Sequence, residues 1–284
     1  MGTINGFKVL ANASNQTYEN LDVLGTWTGA IVSCADGSHS LHENNVFKRC
    51  HLNAAAGAQP KWGFRLYNWK NGTFINVYVE NVFWEHPWYL NVIGSLLLRK
   101  CRAYNSGAQG LQVVNRNLET YDPLSWMVEG EHRVEQCNFT KVGLPQGDGR
   151  RSYVLSFFGK QIEQTAQSAG PRSRWECPVI IQDTIIDNRA EWTPMLRGGV
   201  LAEHRPALYI LGCDIRHDGI ADRPLVKAYK DDLVVIDRSH FVGNKQIDLT
   251  DPREVHVTSN TGTVMLRING VNIGPINQDF HLTP

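Results

Sequence analysis

One short pattern recurs along the chain and constrains its fold more than any other feature. It consists of an apolar residue, two mostly polar residues, a small polar residue or cysteine, any residue, and a second apolar residue. The seven copies are centred on Cys50, Asn81, Cys101, Cys137, Thr184, Cys213 and Ser239, with intervals of 31, 20, 36, 47, 29 and 26. This predicts a repeat of about 20 to 26 residues, enlarged in some copies by inserted loops, as in solenoids.

A second segment with alternating apolar and polar residues follows most copies of the pattern, which predicts strands with one face inward and one outward. These segments are 87–92, 110–115, 153–157, 199–202, 225–229 and 246–249. Turn residues at Asn105–Gly107, Asp148–Gly149, Asp218–Gly219 and Gly243–Asn244 predict the corners. No long segment has a helical period, and a short helix is expected only as a cap near the N-terminus.

These observations predict an all-β chain that forms a right-handed parallel β-helix, a single-stranded solenoid with short terminal caps and loop insertions. We expect an N-terminal cap at residues 1–30, the β-helix at 31–275 and a C-terminal tail at 276–284. About residues 30 to 275 resemble the right-handed parallel β-helix superfamily, which includes pectate-lyase-like enzymes and phage tailspike-like or virion proteins. The resemblance is one of architecture and does not specify a reaction.

The six cysteines are at positions 34, 50, 101, 137, 177 and 213, and no two are close enough in sequence to suggest zinc. Four of them fall in the repeat, where we expect the thiols to stack in the interior of the solenoid as small apolar groups. Cys34 and Cys177 lie outside the repeat and have no predicted place. His132, His217 and His240 are interpreted as surface or turn histidines. No metal and no cofactor are predicted.

The charge balance disfavours several classes of partner. The chain has 28 basic and 28 acidic residues among 284 and no basic block, so neither nucleic acid nor an anionic membrane is an expected partner. Its apolar runs are far shorter than the roughly 18 residues of a membrane span. Residues 1–6 show no basic stretch followed by an apolar run, so no signal peptide is expected. We therefore expect synthesis in a cytosol, followed by association with a virion, or secretion with the leader already removed.

The outward residues of the second strand column are where a ligand is expected. Trp84, Glu85, His86, Trp88 and Tyr89 combine aromatic rings, which stack on sugars, with a possible acid and base. The expected catalytic residues, if the protein is an enzyme, are Glu85, His86 and Arg116. The expected substrate-binding residues are Trp84, Trp88, Tyr89, Gln112, Glu203, His204, Lys227 and Tyr229. Asn91, Ser156, Arg205 and Asp248 complete the outward ladder, with residues 203–205 also interpretable as a solvated corner.

Two functional hypotheses remain open. The first is a non-catalytic structural or glycan-binding protein, such as a decoration, fibre or spike domain of a phage-like virion, with a possible homotrimer as its assembly. It fits the absence of polygalacturonase, epimerase and pectate-lyase calcium motifs. The second is a polysaccharide lyase or glycoside hydrolase with a groove around Trp84 to Tyr89, Gln112 and Arg116. No pair of acids in register identifies a hydrolase dyad.

Overall fold

The computed structural model of the chain describes residues 7–9, 14–25, 29–34, 42–55, 61–113, 130–143, 153–157, 177–188, 198–203, 205–217, 223–243 and 245–284. Strands in these ranges pair in parallel with the equivalent strands one turn earlier and one turn later, forming a 20-stranded and a nine-stranded sheet. The protein is a right-handed parallel β-helix, as predicted. No helix in the described residues is long and apolar enough to cross a membrane.

Each complete turn of the chain contributes to three stacks of strands. The first stack contains β1 (Phe7–Val9), β4 (Ala30–Cys34), the first halves of β8 (Trp62–Ile75) and β10 (His86–Arg99), β12 (Leu111–Val113), β15 (Tyr153–Phe157), β18 (Gly198–Glu203), β21 (Val226–Tyr229), β24 (Ile247–Thr250) and β27 (Met265–Ile268). The second contains β2 (Thr17–Glu19), β6 (Val46–Lys48), the second halves of β8 and β10, β13 (His132–Glu135), β16 (Val179–Gln182), β19 (Ala207–Leu211), β22 (Leu233–Asp237) and β25 (Glu254–Thr258).

The third stack is the separate nine-stranded sheet. It contains β3 (Asp22–Gly25), β7 (His51–Ala54), β9 (Tyr78–Glu80), β11 (Arg102–Ser106), β14 (Asn138–Val142), β17 (Ile185–Asn188), β20 (Asp214–His217), β23 (His240–Gly243) and β26 (Thr261–Gly262). The first and second stacks belong to one sheet because β8 and β10 run through both. The short strand β5 (His42–Glu43) pairs with the middle of β8.

The corner between the second and third stacks is the most regular feature of the fold. In all nine described turns it has two residues, and the first has a positive φ, between 48° and 62°. Glycine occupies this position only once, at Gly212, so most turns tolerate a conformation that costs an L-residue roughly 1–2 kcal/mol. Backbone hydrogen bonds to the next turn continue around the corner, as from Lys100 N–H to Glu135 O at 3.0 Å. These bonds offset the strain.

The second corner residue forms the column that the repeat predicted. Its members are Leu21, Cys50, Val77, Cys101, Cys137, Thr184, Cys213, Ser239 and Asn260. The copy centred on Asn81 is wrong, because Tyr78 pairs with His51 and Arg102, the residues that follow Cys50 and Cys101. Val77 therefore holds the corner. Asn81 belongs to an asparagine ladder at another corner, where its amide donates to Asn53 and accepts from Asn105.

The cysteines of this column are buried and their thiols are free, but they do more than fill space. The Sγ of Cys137 accepts the backbone N–H of Cys101 at 3.4 Å and donates to Leu98 O. Thr184 and Ser239 make the equivalent bonds with their hydroxyl groups. Burial raises the pKa of Cys213 to about 12 and that of Cys101 well above its ordinary value, so both stay protonated.

The interior is a continuous apolar column along the molecule. Aromatic rings concentrate in the N-terminal turns, where Phe47 stacks on Phe74 and on Trp69, and Phe64 stacks on Trp88. Aliphatic side chains such as Val200, Val226 and Ile247 fill the later turns. At the C-terminal end, β28 (Val271–Pro275) pairs antiparallel with β27, and β29 (Phe280–Leu282) pairs antiparallel with β25.

Both terminal segments contain strands that pair with the rest of the β-helix. Strands β2 and β3 already stack on the next turn, so stacked structure begins within the 1–30 segment that was expected to be a cap. The described part of this segment consists of strands and turns, and no helix occurs in it. At the other end, β29 pairs with β25 within residues 276–284.

Candidate functional site

The outer face of the first stack carries the ladder in which the sequence placed the site. Strand register aligns one outward column across seven turns: Arg65, Tyr89, Gln112, Ser156, Leu201, Lys227 and Asp248. The chain intervals 114–129, 144–152, 158–176, 189–197 and 218–222, which lie outside the described residues, each separate a strand of this stack from the preceding or following strand in the sequence.

Part of this ladder is too deeply buried to form an open groove. Tyr89, Asn91 and Ser156 face away from the core, yet they are 6%, 1% and 0% exposed. The outer face around these turns is thus covered in the folded chain. Gln112, Lys227 and Tyr229 are partly exposed.

His86 is held at the start of β10 by several contacts. Its Nδ1 accepts the backbone N–H of Gln109 at 3.1 Å, and its ring stacks on Tyr89 with centroids 5.6 Å apart. Because Nδ1 is an acceptor, the proton of the neutral ring is on Nε2, which lies 4.0 Å from Glu85 Oε2. Gln109 also donates to Ser156 Oγ at 2.7 Å. The sequence indicated His86, Glu85 and Tyr89 but not Gln109.

The two tryptophans of the predicted cluster differ in solvent exposure. Trp84 is 39% exposed at the turn before β10, where a ligand could reach it. Trp88 is fully buried and packs between Phe64 and Phe139. The prediction that Trp88 binds substrate is therefore wrong, because the alternation that turns Tyr89 outward turns Trp88 into the core.

A second cluster lies three strands along the same face, about 15 Å away at roughly 4.8 Å per strand. Glu203 pairs in register with Tyr229, two residues along the same strand from Lys227. Burial raises the pKa of Glu203, while the positive charges of Lys227 and Arg205 act in the opposite direction. The carboxyl therefore keeps its proton to a higher pH than an exposed glutamate, which suits a general acid. Arg116 and His204 lie outside the described residues.

The positions of Arg205 and His132 differ from the exposed positions that the sequence predicted for them. Arg205, expected on the outer ladder or at a solvated corner, is fully buried, and its Nη1 lies 3.2 Å from His132 Nδ1. His132, expected at the surface or in a turn, is also fully buried in a core column, and its Nε2 lies 3.1 Å from Gly94 O. Burial, reinforced by the Arg205 charge, lowers the pKa of His132 well below its usual range. The ring is neutral, donates to Gly94 and accepts from Arg205.

Asp231 belongs to the same buried group and was not identified from the sequence. Its Oδ1 accepts the backbone N–H of Arg205 at 2.6 Å. Burial raises the pKa of Asp231 to about 7, against the opposing pull of Arg205. His217, another expected surface or turn histidine, is only 2% exposed. Cys177, which had no predicted place, is buried near Gly94 O.

The outward side chains of the third stack are partly or fully exposed in each of its described strands. His51 lies 3.4 Å from Asp22 and 3.5 Å from Glu80, and Arg102 lies 3.7 Å from Glu80 and covers the ring of Tyr104. The strands align these residues, with Tyr78 between His51 and Arg102. Tyr78 is 43% exposed. Tyrosine rings and paired polar groups thus form an exposed surface in this part of the stack.

Within the described residues, no group of three or more His, Cys, Asp or Glu side chains converges as a metal site. Comparison of the chain with protein-family models, with curated proteins and with solved structures found no match.

Proposed function

We propose that this chain is a non-catalytic structural or glycan-binding β-helix protein, of the kind that serves as a decoration, fibre or spike domain in a phage-like virion. The observation that carries the proposal is the open outer face of the third stack around His51, Tyr78, Glu80, Arg102 and Tyr104. This face replaces the predicted groove at Trp84 to Tyr89 as the main glycan surface, because His86, Trp88 and Tyr89 are buried there.

The chemistry of this face suits a neutral or weakly charged polysaccharide. The charged groups pair with one another, so they offer hydrogen bonds to sugar hydroxyl groups without a strong net field for an ionic ligand. The tyrosine rings offer apolar surfaces on which sugar rings stack. A spacing of about 4.8 Å between strands repeats these contacts in regular steps along an extended chain.

The structural part of the proposal rests on the second stack. Its outward column includes Leu97, Ile180, Tyr209 and Val235, all partly exposed. Ile180, Tyr209 and Val235 are aligned on successive strands, and Arg133 lies in register between Leu97 and Ile180. Contact with further copies of the chain would remove this apolar surface from water. We propose a homotrimer, with virion proteins as further partners.

The experiment is a binding assay of the purified chain against a panel of neutral and acidic polysaccharides by affinity electrophoresis. A double variant, Tyr78→Ala with Tyr104→Ala, should weaken binding roughly tenfold or more, since each aromatic contact contributes about 0.5–1.5 kcal/mol. Tyr209→Ala removes a tyrosine from the second stack and should leave affinity unchanged. Light scattering on the wild type and on the double variant should show three copies.

Two results would contradict the glycan proposal. One is the absence of binding to any member of the panel by folded protein. The other is a loss of binding in Tyr209→Ala that the double variant does not share.

A carbohydrate-active enzyme, either a polysaccharide lyase or a glycoside hydrolase, is the second candidate, and the raised pKa of Glu203 favours it. In this alternative Glu203 acts as an acid beside Lys227 and Tyr229, while Glu85 and His86 form a separate pair too distant to cooperate with it. The same panel, assayed for unsaturated products and reducing ends, tests this candidate. Product that disappears in Glu203→Gln, with the fold retained, would make the enzyme the better account.

A further inference from the structure

Two histidines face each other where the C-terminal strand joins the last turn. His256 on β25 and His281 on β29 are direct partners in the antiparallel pair, and their Nδ1 atoms are 3.1 Å apart. His281 is exposed and His256 is partly exposed, so solvent and ions can reach them. They are 25 residues apart in sequence, which explains why no motif indicated them.

Glu254 determines which nitrogen of His256 is available. The His256 Nε2 lies 2.5 Å from Glu254 Oε1. An ionised carboxylate only accepts hydrogen bonds, so this nitrogen carries the proton of the neutral ring. The lone pair of His256 is then on Nδ1, directed at His281 Nδ1. At this distance the His281 Nδ1–H can donate to His256 Nδ1. When the proton of His281 is on Nε2 instead, both Nδ1 lone pairs can bind one ion that lies to the side of the line joining the two nitrogens.

We propose that His256 and His281 bind a divalent transition-metal ion, with Zn²⁺ as the physiological candidate. Imidazole nitrogens lie about 2.0–2.1 Å from zinc, so nitrogens 3.1 Å apart would subtend an angle of roughly 95° at the ion. This angle lies between the octahedral and tetrahedral values. Water would complete the coordination, because the pair supplies only two protein ligands.

Glu254 gives the site a feature that a chance pair of histidines lacks. A carboxylate that accepts the second N–H of a ligating histidine fixes its ring and increases its basicity. The bound ion would link β29 to β25 and so hold the terminal strand on the last turn. Binding to the folded state alone would stabilise the protein in proportion to the free ion concentration.

The test is calorimetric titration of the chain, free of any polyhistidine tag and stripped with EDTA, with ZnCl₂ at pH 7.5. We expect one ion per chain. His256→Asn and His281→Asn should each abolish binding, and Glu254→Gln should weaken it about 10–100-fold. His240→Asn is the matched control, since His240 is a strand histidine bonded to Thr261 in the same part of the molecule, and it should bind normally.

Titration with CuCl₂ gives a second readout, because the electron paramagnetic resonance spectrum should show hyperfine coupling to two nitrogens. Circular dichroism checks that each variant keeps its β structure. The proposal is overturned if folded wild-type protein shows no saturable binding, or if both histidine variants still bind zinc with wild-type affinity.

Discussion

At the scale of single residues, the corner between the second and third stacks is governed by hydrogen-bonding capacity. Cysteine, threonine, serine and asparagine occupy seven of the nine described positions in this column. Each of these side chains can accept a backbone N–H from the neighbouring turn and donate to a carbonyl of that turn. The column also accepts Val77 and Leu21, so apolar shape alone is tolerated in some turns.

Cys137 allows these two contributions to be separated. Cys137→Thr keeps an acceptor for the N–H of Cys101, as Thr184 does for Cys137 in the next turn. Cys137→Val, which has the shape of the threonine variant, leaves that buried N–H without its partner. We expect the valine variant to be less stable than the threonine variant by about 1–3 kcal/mol. Urea denaturation measures the difference, and equal free energies of unfolding would show that the sulfur only fills space.

The same column shows how far residue patterns predict this fold. The polar and thiol residues revealed six corners correctly, because a small hydrogen-bonding residue between two apolar ones is an unusual combination. Val77 lacks that signature, so the pattern shifted by four residues to Asn81. Leu21 was missed because leucine lacks the small polar signature, and Asn260 was missed because Gly262 stands where the pattern requires the second apolar residue.

At the scale of elements, alternation predicted the outward direction of Tyr89, Gln112, Lys227 and Tyr229 but could not predict their burial. Direction depends on the local pleat of one strand, whereas burial depends on segments far away in sequence. The site was therefore only partly predictable. Asp231 and His132 were missed for a related reason, since Arg205 reaches both from another turn.

Asp231 joins two turns of the chain, and its ionisation should affect their packing. It follows β21 and accepts the N–H of Arg205, which follows β18 one turn earlier. An acid whose folded pKa is raised stabilises the protein most at low pH. Its contribution is complete below the ordinary aspartate pKa of about 3.9 and is lost as the pH rises through about 7.

Asp231→Asn should remove this dependence while its amide oxygen still accepts the bond from Arg205. Relative to the variant, the wild type should lose stability between pH 4 and 7.5, as measured by urea denaturation at each pH. Asp237→Asn is the control, because the hydrogen bond from Thr258 lowers the pKa of Asp237, so its effect lies at lower pH. Parallel curves for wild type and Asp231→Asn would contradict the assignment.

At the scale of the whole molecule, the C-terminal strands limit growth of the solenoid. Parallel strands β25 and β27 would otherwise present unpaired edges, which are templates for association. Strands β28 and β29 cover them in the antiparallel direction.

Deletion of residues 271–284 should therefore cause the protein to assemble end to end as its concentration rises. Sedimentation and thioflavin T fluorescence measure the assembly. Deletion of Thr283 and Pro284 alone, which leaves β29 in place, is the matched control and should have no effect. A soluble, non-assembling 271–284 deletion would show that other parts of the chain block growth.

The two-residue corner has a consequence for how such a molecule can diversify. Since this corner has the same length in every described turn, differences in turn length are accommodated next to the first stack. One edge of the rod thus acts as a constant spine, while the opposite side can gain or lose segments without changing the register of the strands. Engineered peptides inserted beside the first stack should be displayed at defined, regularly spaced positions along the axis of the β-helix.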